Sequence, residues 1–256
     1  MSKLSADNRF VDLSDYGRPI AKWIAESLKN TSATPIHVTI AFGISGLIAI
    51  ACLLTEHYWA AGAFLILKSV LDAADGELSR IKNTPSYTGR YLDSTFDIIL
   101  NALILTTIGY ISNGSLFYTF LAFVAIQLQG TLYNYYYVIL RHKDAGGDTT
   151  SRVFEDKAPT AFEGESQTTV NVLFFIFTLL YGIFDKIIYE FDRNAPQGRR
   201  FPNWFMSLVS LYGLGFQLLI ITIMLTLNLV AYIIPFFIFY SSPLVVFITI
   251  RRQFIA

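Results

Sequence analysis

Cysteine and charge are both scarce in this 256-residue sequence. The single cysteine, Cys52, excludes an internal disulfide. Only 15% of the residues are charged, whereas soluble domains average about 25%. The 19 acidic and 19 basic residues cancel, so no basic excess indicates a nucleic-acid partner. Hydrophobic residues make up 54% of the sequence and aromatic residues 16%. This composition identifies an integral membrane protein.

Long apolar segments provide the candidate spans. The first 35 residues lack the basic start and apolar core of a signal peptide, so we expect insertion to rely on the first span. The longest apolar stretch, from Phe205 to Ile250, would measure about 69 Å as one helix. It should therefore fold back near residues 227–229 and cross the membrane twice. Four further segments can each cross about 30 Å of hydrocarbon: Ile36 to Leu54, Tyr58 to Arg80, Gly89 to Ile111 and Ser115 to Leu140.

The segment from Val172 to Phe184 is harder to assign, because only 13 residues are strongly apolar. Its length suits an interfacial or re-entrant helix better than a span. If it does not cross, every basic stretch lies on one side of the membrane, which identifies the cytosol. We therefore predict an all-α bundle of six spans, in a bacterial cytoplasmic membrane. Seven spans, with Arg193, Arg199 and Arg200 outside, are the alternative.

Before the first span, apolar residues recur at helical spacing, at Ile20, Trp23, Ile24 and Leu28. With basic residues elsewhere on its surface, this segment is typical of an amphipathic helix in the cytosolic interface. A soluble amphipathic helix is the alternative. The chain then divides into a cytosolic N-terminus, residues 1–35, and a transmembrane domain, residues 36–256, with a polar insertion at 141–203.

The stretch LDAADGELSRIKNTPSYTGRYLDSTFD, residues 71–97, carries four aspartates next to the predicted membrane core. Asp72 and Asp75 share a face of the second span, and Asp93 and Asp97 share a face of the third. A helix break at Asn83 to Pro85 makes a hairpin that brings all four to similar depth. Such carboxylates cannot all stay ionised without cations, and oxygen ligands select Mg²⁺, Mn²⁺ or Ca²⁺. We predict a pair of divalent ions, which would clamp a diphosphate.

Two glycines and an arginine near the aspartates fit the same chemistry. Gly76 lets the backbone come close beside Asp75, and Gly89 opens the third span without a side chain. Arg80 offers a planar fork to phosphate oxygens. Each residue also has an ordinary structural role, as a helix cap, a packing position or an anchor to lipid headgroups. Only their joint spacing with the aspartates indicates a phosphate site.

The full order is Asp72-x2-Asp75-Gly76-x2-Ser79-Arg80-x8-Gly89-x3-Asp93-x3-Asp97. It resembles the signature of the CDP-alcohol phosphatidyltransferase family, membrane enzymes with six transmembrane helices that commonly form homodimers. Ser79 departs from the alanine that the family usually has, and a serine of nearly the same size can hydrogen-bond locally. Pro35 and Thr39 also resemble the residues with which the family opens its first span.

The resemblance implies transfer of a substituted phosphate group from a CDP-linked donor to an alcohol, with release of CMP. Asp97 would take the proton from the attacking hydroxyl. The metal site would hold two ions, Mg²⁺ or Mn²⁺, on Asp72, Asp75, Asp93 and Asp97. The CDP site would be lined by Thr39, Gly76, Ser79, Arg80 and Gly89.

The substrates stay open at this point. One branch of the family uses CDP-diacylglycerol and a polar alcohol such as serine, inositol phosphate or glycerol phosphate. The other uses CDP-choline or CDP-ethanolamine and diacylglycerol. We favour CDP-diacylglycerol because the short chain resembles that branch. A transporter is the alternative from another class, but ion paths need polar residues throughout the membrane, and the only group comparable to the aspartates is Gln127, Gln129 and Asn134.

The polar loop from Arg141 to Gln167 leaves the fourth span on the same face as the aspartates. Arg141 and Arg152 are candidates for binding a charged acceptor or headgroup there, although a solvated connector explains the loop equally well. Lys68 lies one turn before Asp72, where a counter-charge or a side chain reaching toward the interface is a better explanation than a catalytic role.

Overall fold

A computed structural model describes Leu4 and residues 9–145, 150–153 and 155–255. Regular structure in these residues is helical and includes no strand, which confirms the predicted all-α class. The helices are α1 (Arg18–Leu28), α2 (Pro35–Leu54), α3 (Tyr58–Lys82), α4 (Tyr87–Ile111), α5 (Leu116–Ala145), α6 (Gln167–Phe191), α7 (Asn203–Val209), α8 (Leu214–Thr226), α9 (Val230–Phe239) and α10 (Pro243–Phe254).

Helices α2 to α5 correspond to the four predicted spans. Short connections that contain polar capping residues join them. Thr34 caps α2, and Pro35 occupies its first turn. Helix α3 ends at Asn83, which adopts a left-handed conformation with φ of 52°. Ser86 then caps α4 by accepting a hydrogen bond from the Gly89 N–H at 2.8 Å. The predicted break between the two aspartate pairs is therefore confirmed.

Five of the described helical segments are long and apolar enough to cross a membrane: α2, α4, α5, α6 and the α9–α10 pair. The α7–α8 pair, bent by 52°, would make a sixth. Helix α3 has 25 residues but carries the charged groups of the site. These lengths support an integral membrane protein, and the number of crossings stays a prediction.

Helix α6 is longer than its apolar run indicates, because Gln167 to Asn171 and Asp185 to Phe191 continue the helix to 25 residues. The polar insertion predicted for residues 141–203 therefore contains a long helix. Its polar ends have partners within the protein: the Gln167 amide donates to Asn171 at 2.8 Å, and Asp185 lines a cavity. Counting only strongly apolar residues therefore underestimates the length of this helix.

Both flanks of α6 lie at one end of the bundle. Before it, Glu165 accepts hydrogen bonds from the first turn of α4. After it, the Lys143 ammonium, near the end of α5, donates to the carbonyl oxygens of Gly198 at 2.6 Å and Arg199 at 3.2 Å. The start of α4 and the end of α5 form the same face of the hairpin. By length and hydropathy α6 also qualifies as a candidate span, so the prediction that it does not cross stays a prediction.

The C-terminal third folds back where the sequence predicts it. Helix α8 ends at Thr226 and α9 begins at Val230, with Asn228 left-handed at φ 59° between them. Helix α8 packs on α3, and α9 packs on α5. One apolar core lies between these helices together with α2 and α4, and it includes Phe42, Leu65 and Ile104.

Helix α1 packs on α3 through two small residues. Ala21 and Ala25 are fully buried against Ala74 and Leu78. Ile20 and Trp23 stay exposed on the other side of α1. An exposed apolar edge next to the bundle is what an interfacial helix requires, and its contact with lipid remains a prediction.

Candidate active site

The α3–α4 hairpin brings three of the four aspartates together. One carboxylate oxygen from each of Asp72, Asp75 and Asp93 can be chosen so that all lie within 4.8 Å of one another. Helical spacing on two antiparallel helices produces this cluster, as the sequence predicts. The Asp93 Oδ1 atom is buried and has no hydrogen-bond partner among the described residues. Clustered carboxylates with an unpartnered oxygen fit a divalent cation of the Mg²⁺ or Mn²⁺ type.

Asp75 is oriented by the first span. The Thr39 hydroxyl donates to Asp75 Oδ2 at 2.6 Å, and both residues are buried. Thr39 does not line the main cavity described below. The sequence analysis placed Thr39 in the CDP site; its hydrogen bond is with Asp75, and a role in CDP binding stays a prediction.

Asp97 has a different partner from the other three aspartates. The Lys68 ammonium lies 2.5 Å from Asp97 Oδ1 and is fully buried. It also lies over the Phe42 ring, 4.9 Å from its centroid. Lys68 is therefore a counter-charge, in agreement with the sequence analysis. Asp97 does not belong to the close group of three, and its role as a fourth metal ligand stays a prediction.

All four aspartates line one cavity of about 370 Å³. Its walls come from α3, α4, α5, α6, α8 and the segment before α1. Gly76 also lines it, and a Cβ atom at that position would lie 3.4 Å from Arg80 Nη1. This is an ordinary van der Waals distance, so the guanidinium of Arg80 lies over the Gly76 backbone beside the cavity.

Arg80 is held by a chain of charges. Its Nη2 lies 3.1 Å from Glu77 Oε1, and Glu77 also pairs with Arg18, which in turn pairs with Asp15. Burial lowers the pKa of Arg18, but Asp15 and Glu77 outweigh burial and raise it, so Arg18 stays charged. The Arg80 Nε atom is buried without a hydrogen-bond partner in the described part of the chain. Arg80 itself does not line the main cavity, so its contact with a phosphate stays a prediction.

Ser79 and Gly89 make local contacts. The Ser79 hydroxyl donates to the Thr84 carbonyl at 2.9 Å, inside the α3–α4 turn. A Cβ atom on Gly89 would approach the Ser86 hydroxyl to 3.2 Å and disturb the cap of α4. Neither residue lines the cavity, so their predicted role in CDP binding receives no direct support from their positions.

The two arginines predicted to meet the acceptor are separated. Arg141 lines the cavity, and its buried Nε atom has no hydrogen-bond partner among the residues described. Arg152 is exposed and lines a second, smaller cavity of about 30 Å³ instead. Arg141 therefore lines the same cavity as the aspartates, and the role of Arg152 in acceptor binding stays a prediction.

The loop after α5 is fastened to the start of α4, which the sequence did not reveal. Arg90 pairs with Glu155 and donates to the Thr150 carbonyl at 2.7 Å. The Tyr91 hydroxyl donates to Glu155 Oε2 at 2.6 Å. Ser151 lines the cavity. The loop therefore lies at the mouth of the site. These pairs join residues about 60 positions apart, so no local pattern could have indicated them.

Helix α6 adds Tyr181 and Asp185 to the cavity, the segment before α1 adds Asp12, and the first residue of α1 adds Arg18. The sequence analysis missed these residues because they lie far along the chain from the aspartate motif. Their only sequence signal is a polar residue at the end of an apolar run, and that signal is common at helix ends.

A family model described as CDP-alcohol phosphatidyltransferase matches residues 33–192. This match covers more than half of the chain. The chain belongs to the CDP-alcohol phosphatidyltransferase family. The comparison with curated proteins gives no significant match. CDP-alcohol phosphatidyltransferases use divalent metal ions, and the matched region runs from α2 through α6, so it includes the four aspartates, Lys68 and the part of α6 that lines the cavity.

Proposed function

We propose that this CDP-alcohol phosphatidyltransferase moves a phosphatidyl group from CDP-diacylglycerol to a small polar alcohol and releases CMP. The close carboxylates of Asp72, Asp75 and Asp93, in one cavity with Asp97, carry the proposal. Polar side chains from several helices line that cavity, which favours a polar acceptor over diacylglycerol. Transfer from CDP-choline or CDP-ethanolamine to diacylglycerol is the alternative.

Asp72, Asp75 and Asp93, together with Asp97, would hold two ions of Mg²⁺ or Mn²⁺. Such ions supply positive charge that neutralises a diphosphate and stabilises the charge that develops at phosphorus. Thr39 keeps Asp75 in place through its 2.6 Å hydrogen bond. Arg80 would bind a phosphate oxygen of the donor from the edge of the cavity.

Asp97 is our candidate for the general base. The Lys68 ammonium bonds Asp97 Oδ1, which leaves Oδ2 to accept a proton from the acceptor hydroxyl. The acceptor oxygen then bonds to the phosphorus that carries diacylglycerol. The bond from this phosphorus to the oxygen of CMP breaks, and CMP leaves as the anion. Lys68 is a positioning residue, because it fixes the carboxylate without touching the substrate.

Arg141 would bind an anionic part of an acceptor or a lipid headgroup, because its positively charged side chain lines the cavity. The homodimer, the bacterial cytoplasmic membrane and a cytosolic site remain predictions. For the last of these, the Lys and Arg distribution and the position of residues 198 and 199 beside the end of α5 give support.

Purified protein in nanodiscs tests the proposal. CDP-diacylglycerol plus a panel of alcohols should release CMP and form a phosphodiester lipid, and CDP-choline plus diacylglycerol should not. Chelation should stop CMP release, and added Mg²⁺ or Mn²⁺ should restore it, because the unneutralised aspartates would repel the diphosphate. Full activity after thorough chelation would contradict the metal site. Absence of CMP release with every donor and acceptor would favour the transporter alternative.

A further inference from the structure

Arg18 lines the main cavity, although it lies far outside the aspartate motif. It is the first residue of α1, and 24% of its side chain is exposed. Its Nε atom donates to Asp15, and its Nη1 atom donates to Glu77. The Nη2 atom forms no hydrogen bond with any residue that the structure describes. Because the side chain lines the cavity and is partly exposed, this remaining donor is open to a ligand.

Glu77 connects Arg18 to the aspartate motif. Its side chain is only 1% exposed, and its Oε1 atom is shared by Arg18 and Arg80. Glu77 directly follows Asp75 and Gly76 in the chain, and both of these residues line the cavity. Of the two guanidiniums that Glu77 holds, only that of Arg18 lines the cavity. Arg18 therefore brings a positive charge to the side of the cavity where the carboxylates suited to metal lie.

The segment before α1 holds Arg18 in this place. The Leu13 N–H donates to the Ser210 hydroxyl at 2.9 Å, which ties the segment to the C-terminal third of the chain. A Cβ atom on Gly215 would lie 1.9 Å from the Ser14 carbonyl oxygen, so the close approach of the segment to α8 requires glycine. A side chain that is already fixed loses less conformational freedom when a ligand binds. The fold thus prepares Arg18 for a contact.

A second arginine of the cavity lies in the same region. Arg141 lines the cavity from α5, and both Arg141 and Arg18 interact electrostatically with Tyr137. Asp12 and Asp15 also lie near Tyr137, and each of them already accepts a hydrogen bond from a neighbouring residue. An anionic ligand at this place would meet guanidiniums from two helices. The planar fork of a guanidinium matches the oxygens of a phosphate group.

We propose that Arg18 binds a phosphate oxygen of the donor's diphosphate and that Glu77 is the positioning residue that holds its guanidinium. The donor is favoured over the acceptor because Glu77 joins Arg18 to the stretch that carries Asp72 and Asp75, where divalent ions would neutralise the same diphosphate. The interfacial helix α1 then supplies a group of the active site. This inference rests on the proposed function and adds a residue to its donor site.

Ligand binding to the full-length protein in nanodiscs tests the role of Arg18. The probes are CDP and cytidine at saturating Mg²⁺, because only CDP carries the diphosphate. Arg18→Gln should raise the Kd for CDP about tenfold to a hundredfold, the effect of losing one hydrogen bond to a charged group. The Kd for cytidine should stay unchanged. In the CMP-release assay, the donor KM should rise while the acceptor KM keeps its wild-type value.

Lys22→Gln is the matched control. Lys22 is exposed on the same helix and does not line the cavity, so its substitution removes one positive charge from α1 outside the site. This variant should bind CDP with the wild-type Kd. Arg18→Lys keeps the charge but loses the planar fork, and its Kd for CDP should lie between those of the wild type and Arg18→Gln.

The outcomes separate Arg18 from the function as a whole. An unchanged Kd for CDP in Arg18→Gln would overturn the proposal, and CMP release with a wild-type donor KM would do so while leaving the function standing. Equal losses of CDP and cytidine binding would also overturn it, because a structural role would weaken both.

Two further results have a defined meaning. A rise in the KM of glycerol 3-phosphate alone would assign Arg18 to the acceptor and contradict the donor site. Binding of CDP that depends on Arg18, without CMP release from any donor and acceptor, would support the phosphate contact and remove the proposed function. If Arg18→Gln unfolds, as a fall in Tm in detergent would show, Arg18→Lys decides the question alone.

Discussion

Asp97 differs from the other aspartates through one buried lysine. Lys68 approaches it at 2.5 Å, while Asp72, Asp75 and Asp93 gather on their own. A fully buried ammonium without this partner would be an uncompensated charge, so the pair is coupled. Because Lys68 binds Oδ1, the Oδ2 atom of Asp97 stays available to accept a proton from the acceptor hydroxyl. Four carboxylates of the same type thus divide into a group suited to metal and a base candidate.

Asp97→Asn should lose transfer and keep the fold at reduced stability, because the Asp72 and Asp93 carboxylates still offset part of the Lys68 charge. The amide has almost the same shape and can still accept a hydrogen bond from Lys68, but it cannot take a proton from the acceptor hydroxyl. CMP release should fall at least about a hundredfold, measured in nanodiscs with saturating metal and both substrates. Asp156→Asn, at an exposed position in the loop, should retain wild-type activity. Wild-type turnover by Asp97→Asn would disprove the role given to Asp97.

At the scale of the element, the first turn of α4 is capped by Glu165, which lies almost 80 positions later in the chain. Glu165 accepts hydrogen bonds from the Ser86 hydroxyl at 2.7 Å and from the Thr88 N–H at 2.8 Å. A carboxylate at a helix N-terminus also interacts favourably with the helix dipole. Burial raises the pKa of Glu165. The hydrogen bonds from Ser86 and Thr88 together lower this pKa by a larger amount, so the net shift is downward.

Glu165→Gln should therefore destabilise the protein by about 1 kcal/mol at neutral pH, the usual cost of a lost helix cap. Because the folded-state pKa is lowered, the contribution of Glu165 is present above its ordinary value of 4.5 and is lost as the pH falls through the folded value. Tm in detergent at neutral pH and at about pH 3.5 measures this. The variant should differ from wild type mainly at neutral pH.

Glu163→Gln provides the control for this experiment. Glu163 lies in the same loop two residues earlier and is exposed, so its substitution should leave Tm close to wild type at both pH values. An equal effect of the two variants would show that the loop responds to net charge rather than to the cap. If Glu165→Gln lowered Tm equally at both pH values, the contribution of Glu165 would not depend on its ionisation, which would contradict the charged cap.

At the scale of the whole molecule, the bundle concentrates its polar contacts at one end. The α3–α4 turn, the loop before α6 and residues 192–199 all lie there, and Asp192 joins Tyr136 at 2.7 Å and Arg251 near the C-terminal end of α10. Exposed apolar residues of α6 form a stripe of Val172, Phe175, Leu179 and Ile183. A helix with one apolar side free and both flanks at the same end fits the membrane interface.

Cysteine labelling tests this topology. In a Cys52→Ala background, single cysteines at Asn83, Lys157 and Gln197, all exposed, should react with an impermeant reagent only from the cytosolic side, where the basic residues lie. A cysteine at Ser115, exposed in the α4–α5 turn, should react only from the outside. Labelling of position 197 from the outside would make α6 a span and raise the number of spans to seven.

The sequence by itself determined the membrane class, the hairpin and the clustering of the aspartates. These features depend on composition and on spacing within about 30 residues, where helix periodicity fixes which side chains share a face. The turn at 227–229 followed for the same reason, because an apolar run too long for one span must reverse. The family signature lies entirely within this range.

Only the tertiary structure decided how the site is completed. It paired Asp97 with Lys68, turned Thr39 toward Asp75, left Arg152 outside the main cavity and brought Glu165 to α4. It also showed that α6 extends past its apolar run. Each of these outcomes depends on contacts between helices. Periodicity assigns a residue to a face of its own helix, but the partner that this face meets is set by packing of the whole bundle.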